Sequence, residues 1–140
     1  MSRKIFVNLP VKDLKRSTRF FTALGLAFDP RFTDDNATCL VIDDGIYAML
    51  LTEPFFGSFT PKEVVDATGG TETILALGVD SREEVDDLAD RALASGGSPA
   101  NEPMEEEAMY ARSFQDPDGH LWEVVHMDPA ALREQEAAPA

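Results

Sequence analysis

The sequence repeats one order of predicted elements, and this repeat limits the folds that the chain can adopt. Residues 4–52 predict a strand, a helix and three strands, and residues 71–127 predict the same order again. The strand after each helix is predicted over about 27–33 in the first copy and over 98–105 in the second. Each copy has a hairpin turn with an Asp-Gly pair, Asp44-Gly45 in the first and Asp118-Gly119 in the second. We therefore predict an α+β fold in which two βαβββ modules form an open barrel that bears a cleft.

The last hairpin of the sequence contains an unexpected charge. Two runs rich in β-type residues flank Asp-Pro-Asp-Gly at 116–119, where Pro117 sets φ and Gly119 accepts a positive φ. Glu123 follows, with apolar residues on both sides of it in the second run. Because an ionised carboxylate is costly to bury, Glu123 requires either a partner or a function.

Two helices are predicted from their capping residues. Asp13 caps a helix over residues 14–24, and Ser81 caps a helix that runs to about residue 95. Short polar side chains at these places accept hydrogen bonds from the first free N–H groups of a helix.

The remaining segments are predicted to be a linker and a tail. Residues 53–70 join the modules, with a short helical turn after Pro61, and residues 128–140 form a flexible C-terminal tail. The linker phenylalanines Phe55, Phe56 and Phe59 form either a flap over a ligand or a cover for the sheet edge.

Composition narrows the classes of partner and location. A chain of 140 residues fits one domain, which we place at residues 1–127. Lys and Arg total 12 against 26 Asp and Glu, a net charge of −14, so nucleic acid and anionic membranes are not expected as partners. The N-terminus lacks the apolar stretch of a signal peptide and Cys39 is the single cysteine, which together predict a cytoplasmic protein.

Three stretches resemble a known superfamily. They are Asn-Leu-Pro-Val-Lys-Asp-Leu at 8–14 continuing to Leu-Gly at 24–25, Leu-Gly-Val-Asp at 77–80, and Phe-Gln-Asp-Pro-Asp-Gly-His-Leu-Trp-Glu at 114–123. In these stretches the chain resembles the vicinal oxygen chelate superfamily, which includes glyoxalase I, bleomycin-resistance proteins, fosfomycin-resistance enzymes and extradiol dioxygenases. The resemblance covers about residues 4–127 and implies a small-molecule ligand and a homodimer.

The resemblance also implies where a metal would bind. In metal-using members the ligands come from the first and last strands of each module, which correspond to positions near Phe6, Met49, Ile74 and Glu123. Only Glu123 of these four can bind a cation through oxygen. We therefore expect no cofactor, and Glu123 is the one plausible ligand if a divalent metal does bind.

Strand pairing predicts the surroundings of Glu123. If residues 116–119 form a four-residue loop, Arg112 lies opposite Glu123, and Tyr110 and Phe114 share its face. The Arg112–Glu123 pair then either orients a polar ligand or is purely structural, and a shift of one residue would replace Arg112 with Ser113.

The other candidate residues follow from strand alternation. The predicted lining of the ligand cleft consists of Phe6, Asn8, Tyr47, Met49, Ile74 and Phe114. Asn8 either offers its amide to the cleft or bonds a neighbouring strand end. Cys39 is predicted to be a buried thiol facing the helix, while His120 and His126 are expected to be solvated rather than to bind a metal with Glu123.

Three functions are compatible with these residues. The leading one is a glyoxalase/bleomycin-resistance-like protein that binds a small, partly apolar molecule without a firmly held metal. The second is a lyase or isomerase similar to lactoylglutathione lyase, with Glu123 as general base or metal ligand and with Arg112 or Tyr110 stabilising the anion that forms. The third is a binding subunit that docks another protein through the linker phenylalanines.

Overall fold

A computed structural model describes residues 3–130, which divide into two compact units. The first unit comprises the residues up to 70 together with 117–119, and the second comprises 71–116 and the residues from 120 onwards. Each unit is built on the βαβββ plan, so the predicted α+β class and the two modules are confirmed. The predicted tail lies outside the described residues from position 131.

The first unit has one four-stranded sheet. Its elements are β1 (Ile5–Val11), α1 (Leu14–Ala23), β2 (Ala27–Asp29), a 3-10 turn (Pro30–Phe32), β3 (Ala37–Asp43), β4 (Ile46–Thr52) and α2 (Glu53–Gly57). The strand order is β1-β4-β3-β2, with β1 parallel to β4 and the other pairs antiparallel. The Asp13 carboxylate accepts hydrogen bonds from the N–H groups of Lys15 and Arg16, so the predicted cap of α1 is confirmed.

One face of this sheet forms the core of the first unit together with α1. Leu40, Ala48 and Leu50 share that face and are 0% exposed, and the α1 side chains of Phe20 and Phe21 are 1% exposed. Burial of each large side chain contributes about 1.5–3 kcal/mol, so this layer supplies much of the unit's stability. The opposite face of the same sheet is open at one end, where Phe6 on β1 is 48% exposed, and covered at the other, where Ala37, Cys39 and Leu51 are buried.

Two predicted boundaries in the first unit are wrong. The strand expected to run to residue 33 ends at Asp29, because Pro30 begins the 3-10 turn. The helical turn of the linker lies at Glu53–Gly57 rather than after Pro61, with Pro54 in its first turn, where a missing N–H costs nothing.

The second unit repeats the plan with an interrupted strand. Its elements are β5 (Ile74–Gly78), α3 (Arg82–Ala94), β6 (Ser98–Pro99), β7 (Met104–Glu105), β8 (Met109–Gln115) and β9 (Leu121–Met127). The sheet order is β5-β9-β8-β6, and β7 also pairs with β8, so the predicted strand over 98–105 is present only as two short pieces. The Ser81 hydroxyl accepts a hydrogen bond from the N–H of Glu84, which confirms the predicted cap of α3.

The last hairpin closes one residue tighter than predicted. Asp116 and His120 still pair, because the N–H of Asp116 donates to the His120 carbonyl at 3.0 Å. The Asp116 carboxylate also accepts from the His120 N–H and from Trp122 Nε1, both at 3.0 Å. Residues 117–119 therefore form a three-residue loop, with Gly119 at φ +88° in the position that requires a positive φ.

Within residues 3–130, no helix combines the length and the apolar character needed to cross a membrane.

Candidate functional site

The first unit has an open sheet face on which several predicted ligand residues lie. The strand register aligns two rows across β1, β4, β3 and β2, namely Phe6–Tyr47–Val41–Ala27 and Asn8–Met49–Cys39–Asp29. The predicted lining residues Phe6, Asn8, Tyr47 and Met49 are therefore brought together on one face. This open face is the surface opposite the one that packs with α1.

An aromatic pair dominates the open face of the first unit. The rings of Phe6 and Tyr47 are stacked, with centroids 4.9 Å apart and an interplanar angle of 15°. Phe6 is nevertheless 48% exposed. Beside them the Asn8 Nδ2 donates to the Phe6 carbonyl at 3.1 Å, a bond within its own strand rather than to a neighbouring strand end. The face presents an exposed apolar surface next to a polar amide.

Cys39 lies on this face and not on the helix side, so its predicted orientation is wrong. Asp43 pairs with Ile46 but Val41 pairs with Tyr47, which leaves Ile42 as an extra residue in β3. A bulge of one residue moves every side chain beyond it to the other face. The predicted burial of Cys39 is confirmed at 1% exposure, and burial raises the pKa of its thiol, as does Asp29, while Arg31 acts in the opposite direction.

The sequence analysis missed an arginine at the edge of the same face. Arg31 Nε and Nη2 donate to the two carboxylate oxygens of Asp29 at 3.1 and 2.7 Å. Hydrogen bonds from the Arg31 side chain and backbone hold the pKa of Asp29 below its usual value. The signal that was available is Asp-Pro-Arg at 29–31, since an aspartate before a proline is typical of a capped turn that fixes the following residue.

In the second unit, Glu123 lies on the open face of the sheet. It pairs with Ala76 on β5 and with Ser113 on β8, and the predicted lining residue Ile74 shares its face and is 55% exposed. Glu123 is half-buried and makes no hydrogen bond or ion pair with any residue of the described part of the chain. Since it has no partner among residues 3–130, this carboxylate on an apolar face is available to a ligand.

The predicted Arg112–Glu123 pair is wrong. The tighter loop places Ser113 opposite Glu123 and Arg112 opposite Val124. Because side chains alternate along a strand, Arg112 and Tyr110 lie on the face that packs with α3. Phe114 is also on this face and is 1% exposed, so it belongs to the core and does not line the open face.

Arg112 and Tyr110 instead bind the acidic residues of α3. The Tyr110 hydroxyl donates to Asp86 at 2.5 Å, and Arg112 Nη1 contacts Asp86 at 3.0 Å and Asp90 at 2.9 Å. The hydrogen bond to Asp86 raises the pKa of Tyr110. The same bond is the largest cause of the lowered pKa of Asp86, and the bond from Arg112 is the second largest. Burial of Arg112 favours its neutral form, but the bonds to Asp86 and Asp90 outweigh burial and raise its pKa. This network attaches β8 to α3.

The two histidines are not solvated as predicted. Both are half-buried, and His126 Nδ1 lies 3.0 Å from the Val79 carbonyl. His126 also pairs with Tyr110 across the strands, which places it on the face opposite Glu123.

The residues at the predicted metal positions do not fit a metal. Phe6, Met49 and Ile74 offer no oxygen or nitrogen donor, and a single carboxylate is fewer ligands than a firmly bound cation requires. Within residues 3–130, no three His, Cys, Asp or Glu side chains are grouped so that they would hold a metal ion.

A cavity of about 380 Å³ lies elsewhere in the first unit, beside α1. Its lining residues are Leu14, Lys15, Thr18, Arg19, Thr33, Asp34 and Thr38. None of these is a residue that the sequence analysis predicted for the site.

A comparison with protein families gives the class of this chain. Residues 5–124 match the model of the Glyoxalase/Bleomycin resistance protein/Dioxygenase superfamily. The chain belongs to this superfamily, which confirms the predicted resemblance.

Solved structures agree with that assignment at the level of the fold. A hypothetical protein from S. aureus is 28% identical, with a TM-score of 0.75 over 90% of this chain and 95% of that one. A glyoxalase-related enzyme from Fulvimarina pelagi is 23% identical, with a TM-score of 0.75 over 90% of this chain and 88% of that one. A fosfomycin resistance protein from Mesorhizobium loti is 17% identical, with a TM-score of 0.64 over 95% and 96%. A search of curated proteins found no match.

Proposed function

We propose that this chain binds a small, partly apolar molecule on the open faces of its sheets, without a firmly held metal. The observation that carries the proposal is the stacked Phe6–Tyr47 pair, which leaves Phe6 48% exposed. Exposed aromatic surface beside a few polar groups is typical of ligand sites. Asn8 and Met49 lie in the adjacent row of the same face and add one polar and one adaptable apolar contact.

The test uses 2-naphthamide, a neutral planar probe, in a titration followed by the backbone amide signals of the protein. We expect shifts among the amides of β1 and β4, and we expect Phe6→Ala/Tyr47→Ala to weaken binding at least tenfold. Phe59→Ala is the matched control, because Phe59 is 69% exposed but lies in the linker. Binding that survives the double variant would contradict the proposal. Loss in the Phe59 variant would instead favour a flap formed by the linker.

The open face of the second unit is tested by two further variants. Glu123→Gln should weaken binding of a ligand on this face only modestly, since the apolar contacts remain. Ile74→Trp should abolish that binding, because a bulkier side chain fills the surface that Ile74 now leaves 55% exposed. Full binding by the Trp variant would exclude this face from the site.

A lyase or isomerase related to lactoylglutathione lyase is the second candidate, and it is favoured by the absence of a partner for Glu123 among residues 3–130. In this function Glu123 acts as general base and removes a proton from the substrate. Because Arg112 and Tyr110 lie on the other face, they are not part of this proposal. Glu123→Gln should then reduce turnover by about a hundredfold or more, and unchanged turnover would exclude it.

We also propose that the chain is a cytoplasmic homodimer, as the family resemblance and composition led us to expect. Light scattering coupled to size-exclusion chromatography tests the homodimer. A mass of 15.3 kDa would show a monomer and contradict it.

A further inference from the structure

We propose that Arg31 recognises a carboxylate on the ligand that binds to the open face of the first unit. This ligand is then a planar aromatic carboxylate about the size of two fused rings. The inference rests on the proposed function, because it presumes that the Phe6–Tyr47 pair receives an aromatic group.

The first argument is the unused edge of the guanidinium. Arginine has five N–H donors in a planar fork, and Asp29 takes one on Nε and one on Nη2. The two donors of Nη1 and the second donor of Nη2 make no hydrogen bond or ion pair with any described residue. Together they form a second edge of the fork, whose geometry matches a carboxylate in a bidentate arrangement. The side chain of Arg31 is 78% exposed, so this edge is accessible.

The second argument is that the guanidinium is already held in place. Asp29 Oδ1 accepts the backbone N–H of Arg31 at 3.0 Å as well as its Nε. On the other side, the Arg31 guanidinium carbon lies 5.5 Å from the centre of the Phe32 ring, a cation–π contact. Because the side chain is fixed before a ligand arrives, little conformational entropy is lost on binding. Asp29 is therefore a positioning residue for Arg31.

The third argument is the location of the pair relative to the aromatic rings. Tyr47 is the ring of the pair that lies nearer to Asp29, two strands away in the neighbouring row, because Ala27 pairs with Val41 and Val41 pairs with Tyr47. Two strand spacings of roughly 4.8 Å each separate the two strands, a span of roughly 10 Å. Tyr47 and Cys39 also contribute electrostatically to the raised pKa of Arg31, after the dominant bond to Asp29, which agrees with a guanidinium lying over this face. A bicyclic aromatic acid has the length to contact both Tyr47 and Arg31.

The fourth argument is the charge of the face. Asp29 is the charged residue that the strand register places in the two rows, and Arg31 neutralises it. The chain as a whole carries −14, so a ligand anion is repelled unless it finds directed donors. The free edge of Arg31 supplies them, which favours one carboxylate over a more highly charged group.

The experiment compares 2-naphthoate with its neutral isostere 2-naphthamide by calorimetry and by amide shifts on β1 and β4. We expect Arg31→Gln to weaken naphthoate about tenfold and naphthamide less than twofold. Arg31→Lys should not restore naphthoate binding, because an ammonium lacks the planar fork. Asp29→Asn should weaken naphthoate about threefold through a looser Arg31.

Arg19→Gln is the matched control, since it removes the same charge from an exposed arginine on α1. It should leave both affinities within twofold. If Arg31→Gln affects both probes equally, or if Arg19→Gln weakens naphthoate as much, the role of Arg31 is refuted while binding on the face stands. If neither probe shifts the β1 and β4 amides of the unchanged protein, the proposed function fails, and this inference with it.

Discussion

The two units share one plan, yet their hairpin turns have different roles. The Asp44-Gly45 turn reverses the chain and the Gly45 carbonyl accepts from the Ile5 N–H at 2.9 Å, while a Cβ at Gly45 would lie 3.6 Å from the nearest backbone atom, an ordinary contact. A Cβ at Gly119 would lie 2.9 Å from backbone atoms of Ala67 and Thr68. The comparison shows that one dipeptide can be a local turn in one copy and a tightly packed one in the other.

The open faces differ in the same way. In the first unit the face contains stacked rings and a charge pair, whereas in the second it contains aliphatic side chains and Glu123, which has no partner among residues 3–130. The core faces, by contrast, are similar layers of buried apolar side chains under one helix. The repeated plan therefore determines the scaffold, while the outward-facing positions of the strands determine the chemistry.

The largest predicted effect is a difference in stability between alanine substitutions at the two glycines. Both have positive φ, +80° at Gly45 and +88° at Gly119, and this conformation costs about 1–2 kcal/mol for an alanine. Gly119→Ala adds a backbone clash at 2.9 Å, so we expect it to lower the free energy of unfolding by about 3 kcal/mol and Gly45→Ala by about 1 kcal/mol. Guanidinium denaturation measures both, and equal losses would show that the packing around Gly119 has no additional role.

The next largest effect is a difference in stability between asparagine substitutions at the two aspartates of the same turns. Asp118 is 7% exposed, and its carboxylate accepts from the Lys12 N–H and Arg16 Nη2, both at 2.9 Å, and from the Ser17 hydroxyl at 3.3 Å. Asp44 is exposed. Asp118→Asn removes a buried charge that three donors bind, although the side chain of Arg16 is itself 39% exposed, so it should cost about 2 kcal/mol, and Asp44→Asn less than about 0.5 kcal/mol. If both substitutions lower the free energy of unfolding by the same small amount, the hydrogen bonds to Asp118 do not stabilise the unit.

Local signals explain why most of the fold was predictable. Asp13 and Ser81 lie where helix N–H groups need acceptors, and Asp44-Gly45 specifies a turn from its own sequence. The same holds for the ligand residues on β1 and β4, because Phe6 and Tyr47 sit in regular strands whose alternation is undisturbed.

The errors for Arg112 and Cys39 have one physical cause, a change of strand register by one residue. In the last hairpin Asp116 pairs with His120 and its carboxylate accepts from Trp122, so the loop is one residue shorter than predicted. Arg112 therefore lies on the helix face. In β3 the extra residue Ile42 moved Cys39 in the opposite direction. Because a slip of one residue exchanges the two faces of a sheet, a small error in a loop becomes a complete error in a site.

The smallest predicted effect tests the network that replaced the Arg112–Glu123 pair. The pKa of Asp86 is lowered by the bond from Tyr110 and then by Arg112, so its ionised form stabilises the fold above its unfolded pKa of about 3.9. This stability is lost as the pH falls below that value and through the lower folded pKa. We expect Asp86→Asn to cost about 0.5–1 kcal/mol at pH 7, because solvent screens a carboxylate whose side chain is 50% exposed, and clearly less at pH 3.

The control for that effect is Asp87, the neighbour of Asp86 on α3. Its contact with Arg91 at 3.0 Å is an exposed pair four residues apart, which contributes about 0.3–0.5 kcal/mol. At the alkaline end the pKa of Tyr110 is raised, so its bond to Asp86 stabilises the fold fully below the unfolded value of about 10 and is lost as the pH rises through the folded pKa. Tyr110→Phe should therefore remove the part of the alkaline loss of stability that this bond causes. If Asp86→Asn and Asp87→Asn give the same dependence of stability on pH, packing holds β8 to α3, and the network of Arg112, Tyr110 and Asp86 has no stabilising role.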